Sequence, residues 1–83
     1  LDEVKKIAQS YNISDINKIK PGVGETTRVL LRRLPDRVLI REKANQKYLK
    51  HILQLCEEKQ IPIEYVNLQK YNVCGIIKEV ADL

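Results

Sequence analysis

With 83 residues, 43% of them hydrophobic and 31% charged, the chain can build one small core and has no room for a second domain. Fifteen Lys and Arg against eleven Asp and Glu leave a formal charge of +4, which favours a polyanionic partner without requiring one. No apolar run approaches the ~20 residues of a membrane span and no secretory leader is visible, so a cytoplasmic protein away from membranes is expected.

Residues 1–12 carry Val4, Ile7, Ala8 and Tyr11 at i, i+3, i+4, i+7, one apolar face of a helix with Asp2 and Glu3 near its positive end. Ile16, Ile19 and their polar neighbours predict a short strand over 16–20, stopped by Pro21-Gly22. A second helix is expected from about Gly24 to Leu34, with Thr27, Leu30, Leu31 and Leu34 toward the core and Glu25, Arg28 and Arg32 on another face. Pro35-Asp36 breaks it, and the apolar run Val38-Leu39-Ile40 between Arg37 and Arg41 suits a central strand covered on both sides. Asn45 can cap a third helix with the stripe Leu49, Ile52, Leu53, Cys56, and Ile61-Pro62 ends it. Ile63-Glu64-Tyr65-Val66 then completes a β–α–β unit, its two strands parallel. Residues 68–73 read most simply as a short helix, with Gly75 able to adopt the left-handed stop conformation, while 76–83 suit either a helix or a closing strand. The layers predicted are helix, sheet, helix: a three-layer α/β/α sandwich with a small mixed sheet, a single domain over 1–83. The absence of methionine, at Leu1 as elsewhere, suggests a domain cut from a longer chain.

The stretch with most chemical content is Pro21-Gly22-Val23-Gly24-Glu25-Thr26-Thr27-Arg28, a glycine-rich turn opening a helix, where free N–H groups and a positive dipole end can receive an anion. It is not the nucleotide-binding loop, because Ile19 stands where that motif needs its first glycine and Glu25 where it needs lysine. Together with Leu55-Cys56-Glu57-Glu58-Lys59-Gln60-Ile61-Pro62, the following Ile63-Glu64-Tyr65-Val66, and Cys74-Gly75-Ile76, it resembles the ribosomal L-seven-Ae/L-thirty-e family of kink-turn RNA binders over roughly residues 16 to 76. That resemblance implies a non-catalytic RNA-binding module. Its RNA contacts would come from Gly22, Gly24, Glu25, Thr26, Arg28, Arg32 and Lys20: amides approaching the backbone, acid and base reaching exposed guanine edges. Two departures bear on this: Gly24 replaces an asparagine or lysine, and a short charged segment, 77–82, follows the Cys74-Gly75-Ile76 turn.

Lys18, Lys20, Arg28, Arg32, Arg33, Arg41 and Lys43 are expected near one end of the sandwich, where phosphate contacts would bring salt-dependent binding. Each is also an ordinary solubilising charge, and Glu25 with Arg28 an ordinary i, i+3 pair. Tyr65 and Tyr71 could stack on bases or pack beside strands. Cys56 and Cys74 have no metal-ligand spacing and only His51 beside them, so reduced buried thiols are expected, with no metal or other cofactor. No nucleophile–base arrangement or carboxylate pair points to catalysis. Two alternatives remain: a substrate-recognition domain of a ribose methyltransferase, and a protein-interaction or regulatory domain that has lost RNA binding, whose partner would be another protein or a second copy of the chain.

Overall fold

The structure, a computed structural model, describes residues 2–77. Its order is α1 (Asp2–Ser10), a 3-10 turn (Ile16–Lys18), β1 (Ile19–Pro21), α2 (Val23–Leu31), β2 (Pro35–Arg41), a 3-10 turn (Gln46–Leu49), α3 (Lys50–Lys59), β3 (Ile63–Val66) and β4 (Val73–Ile77). The strands lie in the order β1-β4-β2-β3, with β4 antiparallel to both neighbours and β2 parallel to β3.

The apolar run of β2 is explained by two cores, one on each side of the sheet. Leu39 points to one, with Val4 and Ile7 of α1, Ile19, Leu68, Cys74 and Ile76. Val38 and Ile40 point to the other, with Leu30, Leu49, Ile52, Cys56 and Val73 under α2 and α3. Alternation along a strand divides the residues in this way, and burial on both faces demands apolar side chains at every position. The result is the α/β/α sandwich with a mixed sheet, and β2 is central in it.

The expected second helix needs correcting in both face and length. Its buried residues are Thr26, Val29 and Leu30, whereas Leu31 is 62% and Leu34 38% exposed. Close approach to β4 decides the matter, because a Cβ at Gly75 would come within 3.3 Å of Val29 Cγ2 and 3.5 Å of Thr26 Cγ2. Small β-branched residues fit over that glycine and a leucine stripe does not. Gly75 is thus a packing residue inside β4, not the left-handed stop of a helix.

The helix expected over 68–73 is absent: 67–72 is an irregular loop, and Ile76 and Ile77 complete β4. The remainder of the 76–83 alternative lies outside the described residues. The strand expected over 16–20 begins only at Ile19, because Asp15 accepts the N–H of Asn17 and winds 16–18 into a turn. Asn45 caps as expected, through the N–H of Lys47, but the first turn is 3-10 before α3 begins at Lys50.

All three helices stop in the same manner. Asn12, Arg33 and Gln60 have positive φ of 55–57°, and the following residue donates back five positions: Ile13 to Ala8, Leu34 to Val29, and Ile61 to Cys56, at 2.8–3.1 Å. This is the Schellman closure, made here by non-glycine residues. The helices also share a direction. α2 and α3 each follow a strand of the group β1, β2, β3, which all point one way, while α1 places Glu3 beside the loop after β3 and Tyr11 beside Arg37 near the start of β2.

Candidate functional site

The carboxyl ends of β1, β2 and β3 lie together, and the three connections that leave them (Gly22 into α2, 42–49 into α3, and 67–72) form one end of the molecule. In open α/β sheets such an edge, where neighbouring connections diverge to opposite faces, is where ligands are received. Two hydrogen bonds tie this end together: Gly22 N–H donates to the Val73 carbonyl and Arg41 N–H to the Asn72 carbonyl, both at 2.8 Å.

Gly22 has φ of 93°, a conformation that a side chain would strain, and no side chain caps the helix that follows. Among the described residues the N–H groups of Val23, Gly24 and Glu25 therefore have no acceptor, since the first intrahelical bond is that of Thr26 to the Gly22 carbonyl at 3.0 Å. Nothing lies within 4 Å of the place where a Cβ on Gly24 would stand, which leaves the backbone approachable. Glu25 and Arg28 are exposed and 3.9 Å apart, a contact worth no more than a few tenths of a kcal/mol. Both side chains are free to turn to a ligand.

Thr26 is corrected from a contact residue to a core one. It is fully buried, and its hydroxyl donates to the Lys20 carbonyl at 3.1 Å, fixing β1 to α2 from within. Lys20 itself is half-buried in the middle of β1, paired with Gly75. Of the seven cations expected at one end, Lys20 thus lies within β1 and the others are spread over both ends. Arg41 ends β2 and Lys43 follows it, on the end where α2 opens, with Arg28 farther along that helix, in its last turn. Lys18 precedes β1, and Arg32 and Arg33 follow α2, which is about 13 Å long, so these stand at the other end.

Tyr48 escaped the sequence reading. It sits in the turn before α3 at 74% exposure, on the same end as Gly24. Thr27 Oγ1 donates to the Val23 carbonyl at 2.8 Å and lies 3.0 Å from His51 Nε2, which donates in return when that nitrogen is protonated. This bond joins the first turns of α2 and α3. An exposed ring in a short 3-10 turn has no periodic signature, and only the fold brings it to the end that holds the glycine turn. Tyr65 is half-exposed on the edge strand β3, and Tyr71 packs against the α1 core.

The two thiols are enclosed. Burial pushes Cys56 up to about 11, and burial, with Glu3 as a nearby negative charge, pushes Cys74 up to about 12. Neither forms a thiolate near neutral pH. Among the described residues no His, Cys, Asp and Glu side chains gather as a metal site, and no helix is long and apolar enough to cross a membrane.

Residues 1–79 match the model of the PELOTA RNA binding domain. The chain belongs to that family. PELOTA RNA binding domains are an RNA-binding class, as the resemblance implied, though the match makes no statement about kink turns. The cysteine protease StiP of Acinetobacter baylyi is 41% identical over 68 residues, which amount to 80% of this chain and 17% of that protein. The PELOTA domain described here thus spans less than a fifth of the length of that curated relative.

Proposed function

We propose that the chain is a non-catalytic, cytoplasmic module that reads structured RNA of the kink-turn kind at the carboxyl end of its sheet. The observation that carries this is the uncapped, glycine-lined start of α2, in a domain of an RNA-binding family. In this reading the N–H groups of Val23, Gly24 and Glu25 meet phosphate or sugar oxygens, with Gly22 and Gly24 letting the RNA backbone come close. Glu25 accepts from exposed guanine amines, and Arg28 donates to guanine edges or phosphate. Tyr48 offers its ring to a base turned out of the stack. Arg41, Lys43 and Lys47 add phosphate contacts that set the salt dependence.

Recognition without catalysis is supported by the two cysteines. StiP is named as a cysteine protease, but Cys56 and Cys74 are sealed in the two cores with their thiols held protonated. Whatever chemistry accompanies this domain in a longer chain is supplied by other residues. The test is a titration of a labelled kink-turn RNA and an equal-length plain duplex, at low and physiological salt, beside an E25A/R28A double variant. Tight binding to the kink turn alone, lost in the variant, supports the reading. Equal weak binding to both RNAs, vanishing with salt, reduces it to a basic surface.

A further inference from the structure

The loop 67–72 joins β3 to β4 with no regular structure of its own, so its backbone groups must be held from outside. α1 holds them. The Glu3 carboxylate accepts the N–H of Lys70 at 3.0 Å and of Tyr71 at 3.1 Å through Oε1, and that of Gln69 at 2.5 Å through Oε2. Three successive amides converging in this way form a concavity suited to an anion, and the anion here is the chain's own carboxylate.

The other end of the loop is tied to the site. Asn72 accepts the Arg41 N–H, and Val73 accepts the N–H of Gly22, the residue that opens α2. Glu3 and the start of α2 therefore hold opposite ends of one short segment. The side chains of Gln69 and Lys70 are exposed, with Lys70 Nζ 5.6 Å from the centre of the Tyr71 ring and, among the described residues, in no ion pair.

A loop fixed before its ligand arrives loses less freedom on binding than one that must order around it. We propose that Glu3 is a positioning residue for RNA: its carboxylate preforms the 67–72 loop as a second wall beside the start of α2, with Lys70 as the phosphate contact on that wall. This rests on the RNA reading of the α2 end. Glu3 itself touches no RNA and acts only through the loop.

The test uses the 83-residue chain and a labelled kink-turn RNA titrated over a series of salt concentrations, with wild type, E3Q, E3D, K70A and the E3Q/K70A double variant. Amide exchange of Gln69, Lys70 and Tyr71 is followed in the free proteins. Lys70 is exposed, so K70A folds; its affinity is expected to drop about fivefold and its salt slope by about 0.7–0.9, one phosphate's worth. E3Q should lose the amide protection and show the same smaller slope, the double variant should fall no further, and E3D, which keeps the charge, should recover most of the slope. A merely structural role for Glu3 would lower thermal stability and leave the slope unchanged. E3Q that keeps the wild-type slope while K70A loses it overturns the role of Glu3 and spares the RNA reading. K70A that keeps the wild-type slope removes the second wall, again sparing the α2 site. Failure of the wild type to bind the kink turn overturns both.

Discussion

Replacing Gly24 by alanine separates the RNA reading from a purely structural account, because the two effects have opposite signs. Gly24 has an ordinary helical backbone, and a Cβ there meets nothing within 4 Å, so the fold accepts the methyl group without strain. Alanine in place of glycine near a helix start is worth about 0.5 kcal/mol of stability, less than the mid-helix value because the first turn is only partly fixed. For a domain of this size that raises the melting temperature by roughly 2–4 °C. The same methyl group stands among the free N–H groups of Val23, Gly24 and Glu25, where close approach of an RNA backbone is proposed. Moving the phosphate away from even one charge-assisted hydrogen bond costs about 1.5 kcal/mol, or roughly tenfold in affinity. Thermal melts and an anisotropy titration with kink-turn RNA, on the same preparation, read both. A variant that is more stable and binds RNA as tightly as wild type would refute the reasoning, since the backbone at Gly24 would then be exposed for no ligand.

Alanine at Gly75 should instead destabilise the domain by about 1 kcal/mol, because its Cβ, 3.3 Å from Val29 Cγ2, pushes α2 off β4; chemical denaturation measures it, and an unchanged midpoint would contradict the packing account. Alanine at Gly22 meets no neighbour yet must hold φ of 93°, so a loss of about 1 kcal/mol or more is expected, and it should persist in the D-alanine control only if strain is not the cause. The two thiols are held above their ordinary value of 9.0, so their contribution to stability is full below pH 9 and falls as pH rises toward about 11 and 12; urea melts of wild type against C56A and C74A across pH 8 to 11 read this, and equal pH slopes would oppose it. Glu3 behaves in the reverse sense. Burial pulls its carboxyl up, but the amides of Gln69, Tyr71 and Lys70, aided by Arg41, hold it below 4.5, so its contribution is present above that value and disappears as pH falls through the lowered one; acid unfolding of E3Q should lack that component.

The β2–α3–β3 unit was legible because its signals are local: an apolar run, a cap at Asn45, a stripe ending at Cys56 and a stop at Ile61-Pro62. The buried face of α2 was not, because a leucine stripe outweighs Thr26 and Val29 until Gly75 is known to lie beneath them. Pattern reading weighs apolarity, whereas the close helix–strand approach selects size. Residues 68–73 carry apolar side chains at helical intervals, yet the amides of Gln69, Lys70 and Tyr71 go to Glu3, in hydrogen bonds that span 66 to 68 positions of sequence. A contact that distant leaves no mark in a local window. Gly22, Gly24, Glu25 and Arg28 could be picked out from the turn itself. The division of the cations between two ends could not, since it depends on strand direction and helix length together.

The shared direction of the three helices gives the molecule an electrical polarity that its net charge does not describe. Each helix carries about half a positive elementary charge at its amino terminus, so the three add roughly +1.5 at the end where α2 opens and the reverse at the end closed by Asn12, Arg33 and Gln60. The Glu3 carboxylate offsets part of this near α1, and the starts of α2 and α3 keep theirs. Lys18, Arg32 and Arg33 bring side-chain charge to the opposite end, so the side-chain cations are not confined to the end where α2 opens. The backbone adds to the end where α2 opens a positive partial charge that side-chain substitution leaves in place, and because it fades within the first turn of each helix it acts only on an anion already close to those N–H groups.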